Sequence, residues 1–123
     1  VKVLITGGRD WEDQYAVDVI VAGLACLLGG ANEQFELIHG DCPTGADSMA
    51  DTWKDVVNVT PFPADWDLHK KAAGPIRNRQ MLDQEPDLVV AFSDHLPTSK
   101  GTRDCVTEAR RRAIPVWHLA HVE

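Results

Sequence analysis

A chain of 123 residues is long enough for one domain with its own core and needs no disulfide or metal staple. Its 12 basic and 19 acidic side chains leave a net charge of −7, which argues against a protein whose main task is to coat nucleic acid or an anionic membrane. Cys26, Cys42 and Cys105 are widely spaced and form no Cys-x-x-Cys pair, which fits small packing residues in a reducing cytoplasm better than a secreted disulfide scaffold.

The chain opens on Val1-Lys2-Val3-Leu4-Ile5, the pattern of a buried strand, and breaks at Thr6-Gly7-Gly8-Arg9. So short an apolar run is unlike a signal peptide, and no stretch is long enough to span a bilayer, so a cytoplasmic location is expected. Glycines at a strand end let backbone amides approach an anion, and a helix beginning just afterwards adds its positive dipole end. A plain turn explains two glycines equally well.

Val17, Ile20, Val21, Leu24, Leu27 and Leu28 recur at helical spacing, with Gly29-Gly30 as a stop. Phe35 to His39 reads as a second strand, broken by Gly40-Asp41 and the turn residues Pro43, Thr44 and Gly45. A second helix carries Met49, Ala50, Trp53, Val56 and Val57, with Thr44 and Asp47 in capping-box spacing, and a third strand is expected over Asn58 to Phe62. Pro63 to Gly74 has no clear period and reads as a long loop or a poorly defined helical turn, the kind of segment that often carries function.

Pro75 suits the first position of a third helix, running from Ile76 to Leu82 and ending before Pro86. Asp87 to Phe92 is an unbroken apolar run that predicts a strand buried on both faces. A fourth helix carries Thr102, Val106, Ala109 and Ala113, with Arg110, Arg111 and Arg112 at its C-terminal dipole end, and Ile114 to Leu119 closes as a fifth strand. Alternating strands and helices predict an α/β fold, a single Rossmann-like three-layer domain over residues 1–123 with a parallel sheet of about five strands. Ligands of such sheets bind outside the carboxyl ends of the strands, where the strand order reverses. If the first and fourth strands are neighbours, Thr6 to Arg9 faces the loop Ser93 to Gly101.

That loop ends in Thr98-Ser99-Lys100-Gly101-Thr102, which offers hydroxyls, a cation and amides at a helix start. The alternative is an ordinary N-cap by Thr98 or Ser99. It is not a Walker A loop, and there is no Gly-x-Gly-x-x-Gly. Asp41 and Asp47 flank the second strand's end, where they are candidates to accept from ribose hydroxyls, to contact a base, or to hold a divalent cation accompanying a bound phosphate. For Asp47 alone a helix cap is the simpler reading. Arg77 is expected in the first turn of its helix, unfavourable to the dipole unless an anion or buried carboxylate lies opposite; Asn78 beside it can donate and accept. Trp53 and Trp117 read as core. Trp11 and Trp66 sit in loops, where an indole either stacks on a base or pins the loop. His69 with Asp65 and Asp67 has only a loose metal-ligand spacing.

These segments together resemble the SLOG superfamily of Rossmann-like domains, which includes the LOG-type (lonely guy) nucleoside-monophosphate phosphoribohydrolases and the DprA and molybdenum-cofactor-carrier relatives. The resemblance is nearest to its YspA-like branch. It is carried by Thr6-Gly7-Gly8-Arg9-Asp10-Trp11, His39-Gly40-Asp41 with Gly45-Ala46-Asp47, Pro63-Ala64-Asp65-Trp66, Gly74-Pro75-Ile76-Arg77-Asn78 with Met81, and Ser99-Lys100-Gly101-Thr102, in family order. It implies a nucleotide or nucleotide-derived phosphorylated ligand, held as by a sensor or carrier module. Gly7, Gly8, Gly101 and Thr102 would cradle phosphate, Arg9, Arg77 and Lys100 would supply charge, and Gly40, Asp41, Gly45, Asp47, Asn78 and Ser99 would complete the site. Related domains often self-associate, so a homodimer is a fair expectation.

LOG-type enzymes carry Arg-x-x-x-Met, matched by Arg77 and Met81, and a Pro-Gly-Gly-x-Gly-Thr-x-x-Glu loop, of which Gly101-Thr102 match the core. The glutamate position holds Cys105, and Leu96-Pro97-Thr98-Ser99 replaces the upstream Pro-Gly-Gly. Binding is therefore the leading expectation. Cleavage of the N-glycosidic bond of a nucleoside monophosphate, with Arg77 binding substrate and Asp104 or Asp41 as the carboxylate, is the alternative.

Overall fold

The computed structural model describes residues 1–29 and 34–121. Five parallel strands, β1 (Lys2–Gly7), β2 (Glu36–His39), β3 (Asn58–Pro61), β4 (Leu88–Phe92) and β5 (Val116–Leu119), form one sheet in the order β3-β2-β1-β4-β5. The helices are α1 (Gln14–Leu24), α2 (Ala46–Asp51), α3 (Trp66–His69), α4 (Ala73–Leu82) and α5 (Lys100–Arg111). The expected three-layer α/β architecture is therefore present. β1 lies in the centre, with Val3 opposite Leu37 on one side and opposite Leu88 on the other.

Both faces of the sheet are packed. Val3, Ile5, Leu37, Val90 and Phe92 meet Val17, Val21 and Leu24 of α1 and Ala46 and Ala50 of α2. On the opposite face Leu4, Ile38 and Val89 meet Met81 and Leu82 of α4 and Cys105 and Ala109 of α5. Two-sided burial explains why β1 and β4 read as continuous apolar runs, with all five residues of β4 buried.

Local differences from the sequence reading have physical causes. After α1, Ala25–Gly29 forms a π-helical segment, whose wider turn shifts the side-chain phase, so Leu27 and Leu28 face solvent instead of the core. Gly30 of the expected stop lies outside the described residues. The capping box before α2 does not form: Gly45, at φ 79°, is the N-cap and provides no side-chain bond. A Cβ there would lie 2.8 Å from Arg9 Cα, so the glycine permits both the left-handed turn and the close approach. α2 ends at Asp51, leaving Trp53 half-buried with its Nε1 donating to Asp18 Oδ1 at 2.8 Å and Val56 exposed.

Part of the expected loop before Gly74 is helical. Asp65 Oδ1 caps α3 by accepting from Leu68 N at 3.0 Å, and a 3-10 turn, Lys70–Ala72, leads directly into α4. α4 begins at Ala73, so Pro75 occupies its third position, still within the turn whose amides have no intrahelical acceptor. Arg77 consequently lies in the second turn. α5 ends earlier than expected: Ala113, at φ 61°, takes the left-handed C′ position, with Ala113 N donating to Arg110 O at 3.0 Å and Ile114 N to Ala109 O at 2.9 Å. Trp117, expected in the core, is 47% exposed because β5 is an edge strand.

Candidate functional site

Strand order reverses between β1 and β4, and a cleft of about 670 Å³ lies at the carboxyl ends of these strands. The loop after β1 meets β4 directly, as Gly8 N donates to Phe92 O at 3.0 Å. That bond occupies the amide expected to face a phosphate. Gly7 is a packing residue: a Cβ would lie 2.6 Å from both Ala46 Cβ and Phe92 O. The first loop thus contributes the exposed Arg9 and Asp10 to the cleft, with its glycines serving close packing.

The facing wall is the start of α5. Ser99 occupies the N-cap but makes no capping bond, because its Oγ meets Ser93 Oγ at 2.9 Å and His95 O at 3.3 Å. Thr98 is turned toward His95. Among the described residues, the amides of Lys100, Gly101 and Thr102 have no acceptor, while Arg103 N already bonds Ser99 O at 2.7 Å. A Cβ built on Gly101 would meet nothing within 4 Å. Three unpaired amides at the positive end of a twelve-residue helix, all on residues lining the cleft, form an anion-binding arrangement.

α4 supplies the floor. Arg77 is buried, with Nη1 donating to Gly40 O and Nε donating to Asn78 Oδ1 at 2.9 Å. A Cβ on Gly40 would lie 2.5 Å from Arg77 Nη1 and 3.0 Å from Asp47 Oδ2, so glycine leaves the slot that the guanidinium fills. Asn78 Nδ2 donates to Gly101 O and to Asp104 Oδ2, each at 3.1 Å, and so ties α4 to the start of α5. Arg77 Nη2 has no protein partner among the described residues.

Asp47 is 5% exposed and borders the cleft. Its Oδ2 accepts from Cys42 N at 3.3 Å and its Oδ1 has no partner. Burial pushes this carboxyl above its ordinary range, with Cys42, His39 and Arg77 acting in the opposite sense. Asp47 is thus no cap. Asp41, by contrast, is exposed at φ 57° and does not line the cleft; its N–H donates to His39 Nδ1 at 3.0 Å. With Nδ1 accepting, Nε2 carries the proton toward Asp51 Oδ1 at 2.9 Å, and that bond holds the Asp51 carboxyl below its usual range.

Trp66, Lys71, Gly74 and Pro75 form the remaining side. Trp66 is half exposed, whereas Trp11 is buried, tilted on Phe92 at 5.3 Å between ring centroids, with Nε1 donating to Asp13 O at 3.1 Å. Trp11 therefore pins its loop. Asp65 is occupied in capping α3, and no group of three His, Cys, Asp or Glu is placed to hold a metal among the described residues, which leaves His69 without the suggested ligand set.

Cys105 is fully buried, and burial pushes its thiol up to about 12. A neutral thiol facing the core stands where the resemblance has a catalytic glutamate. The adjacent Asp104 borders the cleft, but its Oδ2 accepts from Asn78 and lies 3.8 Å from Arg79 Nη1. The sequence reading named most of the lining residues. Lys71 carries no signal in a segment without period, and Cys42 looks in sequence like a packing residue; Asp10, bordering the cleft next to Arg9, is signalled only by its place in the first motif.

Residues 1–69 match the family described as YspA, cpYpsA-related SLOG. Among curated proteins, the chain is 39% identical over 122 residues to the Gene 61 protein of Mycobacterium phage D29, an alignment covering 94% of this chain and 93% of that protein. No solved structure gives a significant match.

Proposed function

Because this chain belongs to the YspA, cpYpsA-related SLOG family, we propose that its cleft binds a nucleotide or nucleotide-derived phosphorylated ligand, as a sensor or carrier module. The observation that carries the reading is the uncapped first turn of α5, where the amides of Lys100, Gly101 and Thr102 await an acceptor beside a lysine. Arg77, whose Nη2 has no protein partner among the described residues, lines the same cleft, as do Arg9 and Lys71, so three further cations surround a phosphate bound there. Trp66 offers an exposed indole for stacking on a base, and Asp47 a carboxyl for a ribose or base edge. A divalent cation, if it accompanies the ligand, would be held chiefly by the phosphates themselves.

The hydrolase alternative has less support at the positions the resemblance suggests for its carboxylate, since Asp41 does not line the cleft. Cys105 is a neutral thiol and Asp104 is bonded to Asn78. Titration calorimetry against nucleoside monophosphates, dinucleotides and ADP-ribose tests the binding reading, which fails if none binds below millimolar concentration. Arg77→Ala should weaken any binding at least tenfold, in keeping with loss of a charge-assisted bond. Release of free base from a nucleoside monophosphate would instead establish the hydrolase.

A further inference from the structure

One histidine outside the cleft joins the two loops that lead into it. His121 follows β5, and its ring stacks on the Trp11 indole with centroids 4.6 Å apart and planes 12° from parallel. Its Nδ1 lies 3.0 Å from both carboxylate oxygens of Asp94, its backbone N–H donates to Asp94 Oδ1 at 2.7 Å, and its Nε2 lies 2.8 Å from Asp13 Oδ2. Trp11 and Asp13 belong to the connection from β1 to α1, where Trp11 N donates to Gly8 O at 3.2 Å and Asp13 Oδ1 caps α1 through Ala16 N at 3.0 Å. Asp94 belongs to the connection from β4 to α5, beside Ser93, whose Oγ meets that of Ser99 at 2.9 Å. His118 of β5 also faces this connection, with Nε2 donating to Ser93 O at 2.7 Å.

A neutral imidazole carries one N–H and can donate to one carboxylate, whereas the imidazolium donates at both nitrogens. The structure presents two carboxylates, one on each loop. We infer that doubly protonated His121 is a positioning residue for the cleft: it braces the β1–α1 and β4–α5 loops against each other, and its deprotonation loosens both and weakens ligand binding. The titratable groups facing it are Asp94, Asp13 and, across Asp94, His118. Their effect has the required sign. Hydrogen bonds to Asp94 and then Asp13 raise the His121 pKa above 6.5, and His121 in turn holds both carboxyls below 3.8. A raised histidine pKa means that the brace is fully present below the unfolded histidine value and is lost as pH rises through the higher folded-state value.

The consequence for ligand affinity rests on the nucleotide reading, but the brace itself can be tested in the free protein. Amide exchange, expressed as protection factors so that intrinsic rates cancel, would be followed in Gly8–Trp11 and Ser93–Ser99 at about pH 6 and about pH 8.5. Wild-type protection in both loops should fall about fivefold between these conditions, the scale of two exposed ion pairs. His121→Phe keeps an aromatic ring over Trp11 but removes both donors, and should show the lower protection at both pH values. Protection that is flat with pH in the wild type, or a His121→Phe protein with the wild-type pH dependence, would overturn the inference. ADP-ribose, whose pyrophosphate does not titrate in this range, supplies the second arm: its affinity should fall by a similar factor in the wild type alone. Absence of ADP-ribose binding at both pH values would count against that ligand at the cleft, while the exchange data would still decide the brace.

Discussion

Replacing Asn78 by alanine removes a side chain that holds three partners at once. Its Oδ1 is the acceptor for Arg77 Nε at 2.9 Å, and its Nδ2 donates to Gly101 O and Asp104 Oδ2 at 3.1 Å each. Arg77 is buried, so an Nε–H left without an acceptor costs about 1–3 kcal/mol. The other two partners border the cleft and can recover water, which limits their loss to about 0.5–1 kcal/mol each. Alanine's better helix propensity returns about 0.6 kcal/mol. The net expectation is a loss of about 1.5–4.5 kcal/mol, read in urea unfolding as a midpoint lowered by about 1–3 M at unchanged slope. Asn78→Asp is the control: it keeps the acceptor for Arg77 but turns an oxygen toward Gly101 O and places a second carboxylate against Asp104. At neutral pH it should destabilise at least as much as alanine despite its nearly identical shape. An alanine variant within 0.5 kcal/mol of wild type (a loss on the order of an ordinary surface change), or an Asp variant indistinguishable from wild type, would refute the assigned network.

Three further outcomes are expected. Ala113→Gly should raise stability by about 1 kcal/mol, because alanine at φ 61° carries a left-handed penalty that glycine escapes, and calorimetric Tm reads it. Hydrogen bonds from Arg111, with further help from Arg112, draw the Glu108 carboxyl from 4.5 down to about 2. Its contribution is therefore present above pH 4.5 and lost as pH falls toward 2, so acid unfolding in that window should be less steep in Glu108→Gln. Gly45→Ala and Gly101→Ala should separate folding from binding. The first meets backbone at φ 79° and should cost about 3 kcal/mol or more, whereas the second enters open space and should leave Tm unchanged or raised while reducing nucleotide affinity.

The sheet and its covering helices were legible because both faces of β1 and β4 are buried, which writes them as unbroken apolar runs. The α5 turn was legible because lysine, glycine and threonine gather at a helix start. What escaped was set by geometry that local pattern does not encode. Gly8 has the local pattern of a phosphate donor, yet its amide is bonded to Phe92 O, a partner 84 positions away. Asp47 fits a capping rule in sequence, yet its role follows from burial beneath Gly40 and Cys42. Trp117 could not be told from a core residue, since an edge strand and a central one carry the same apolar letters.

The central pairing of β1 with β4 has a kinetic meaning. Val3 and Leu88 lie 85 positions apart, so the two loops facing each other across the cleft are brought together only by a long chain closure. Local turns can form before this contact, but the cleft cannot. A ligand seated between these loops would therefore recognise the native state alone and leave the unfolded ensemble untouched. Its whole affinity would appear as thermal stabilisation, about 2.7 kcal/mol at one hundred times its dissociation constant. Folding through such non-local pairing is also intrinsically slow, so bound ligand should act mainly by retarding unfolding.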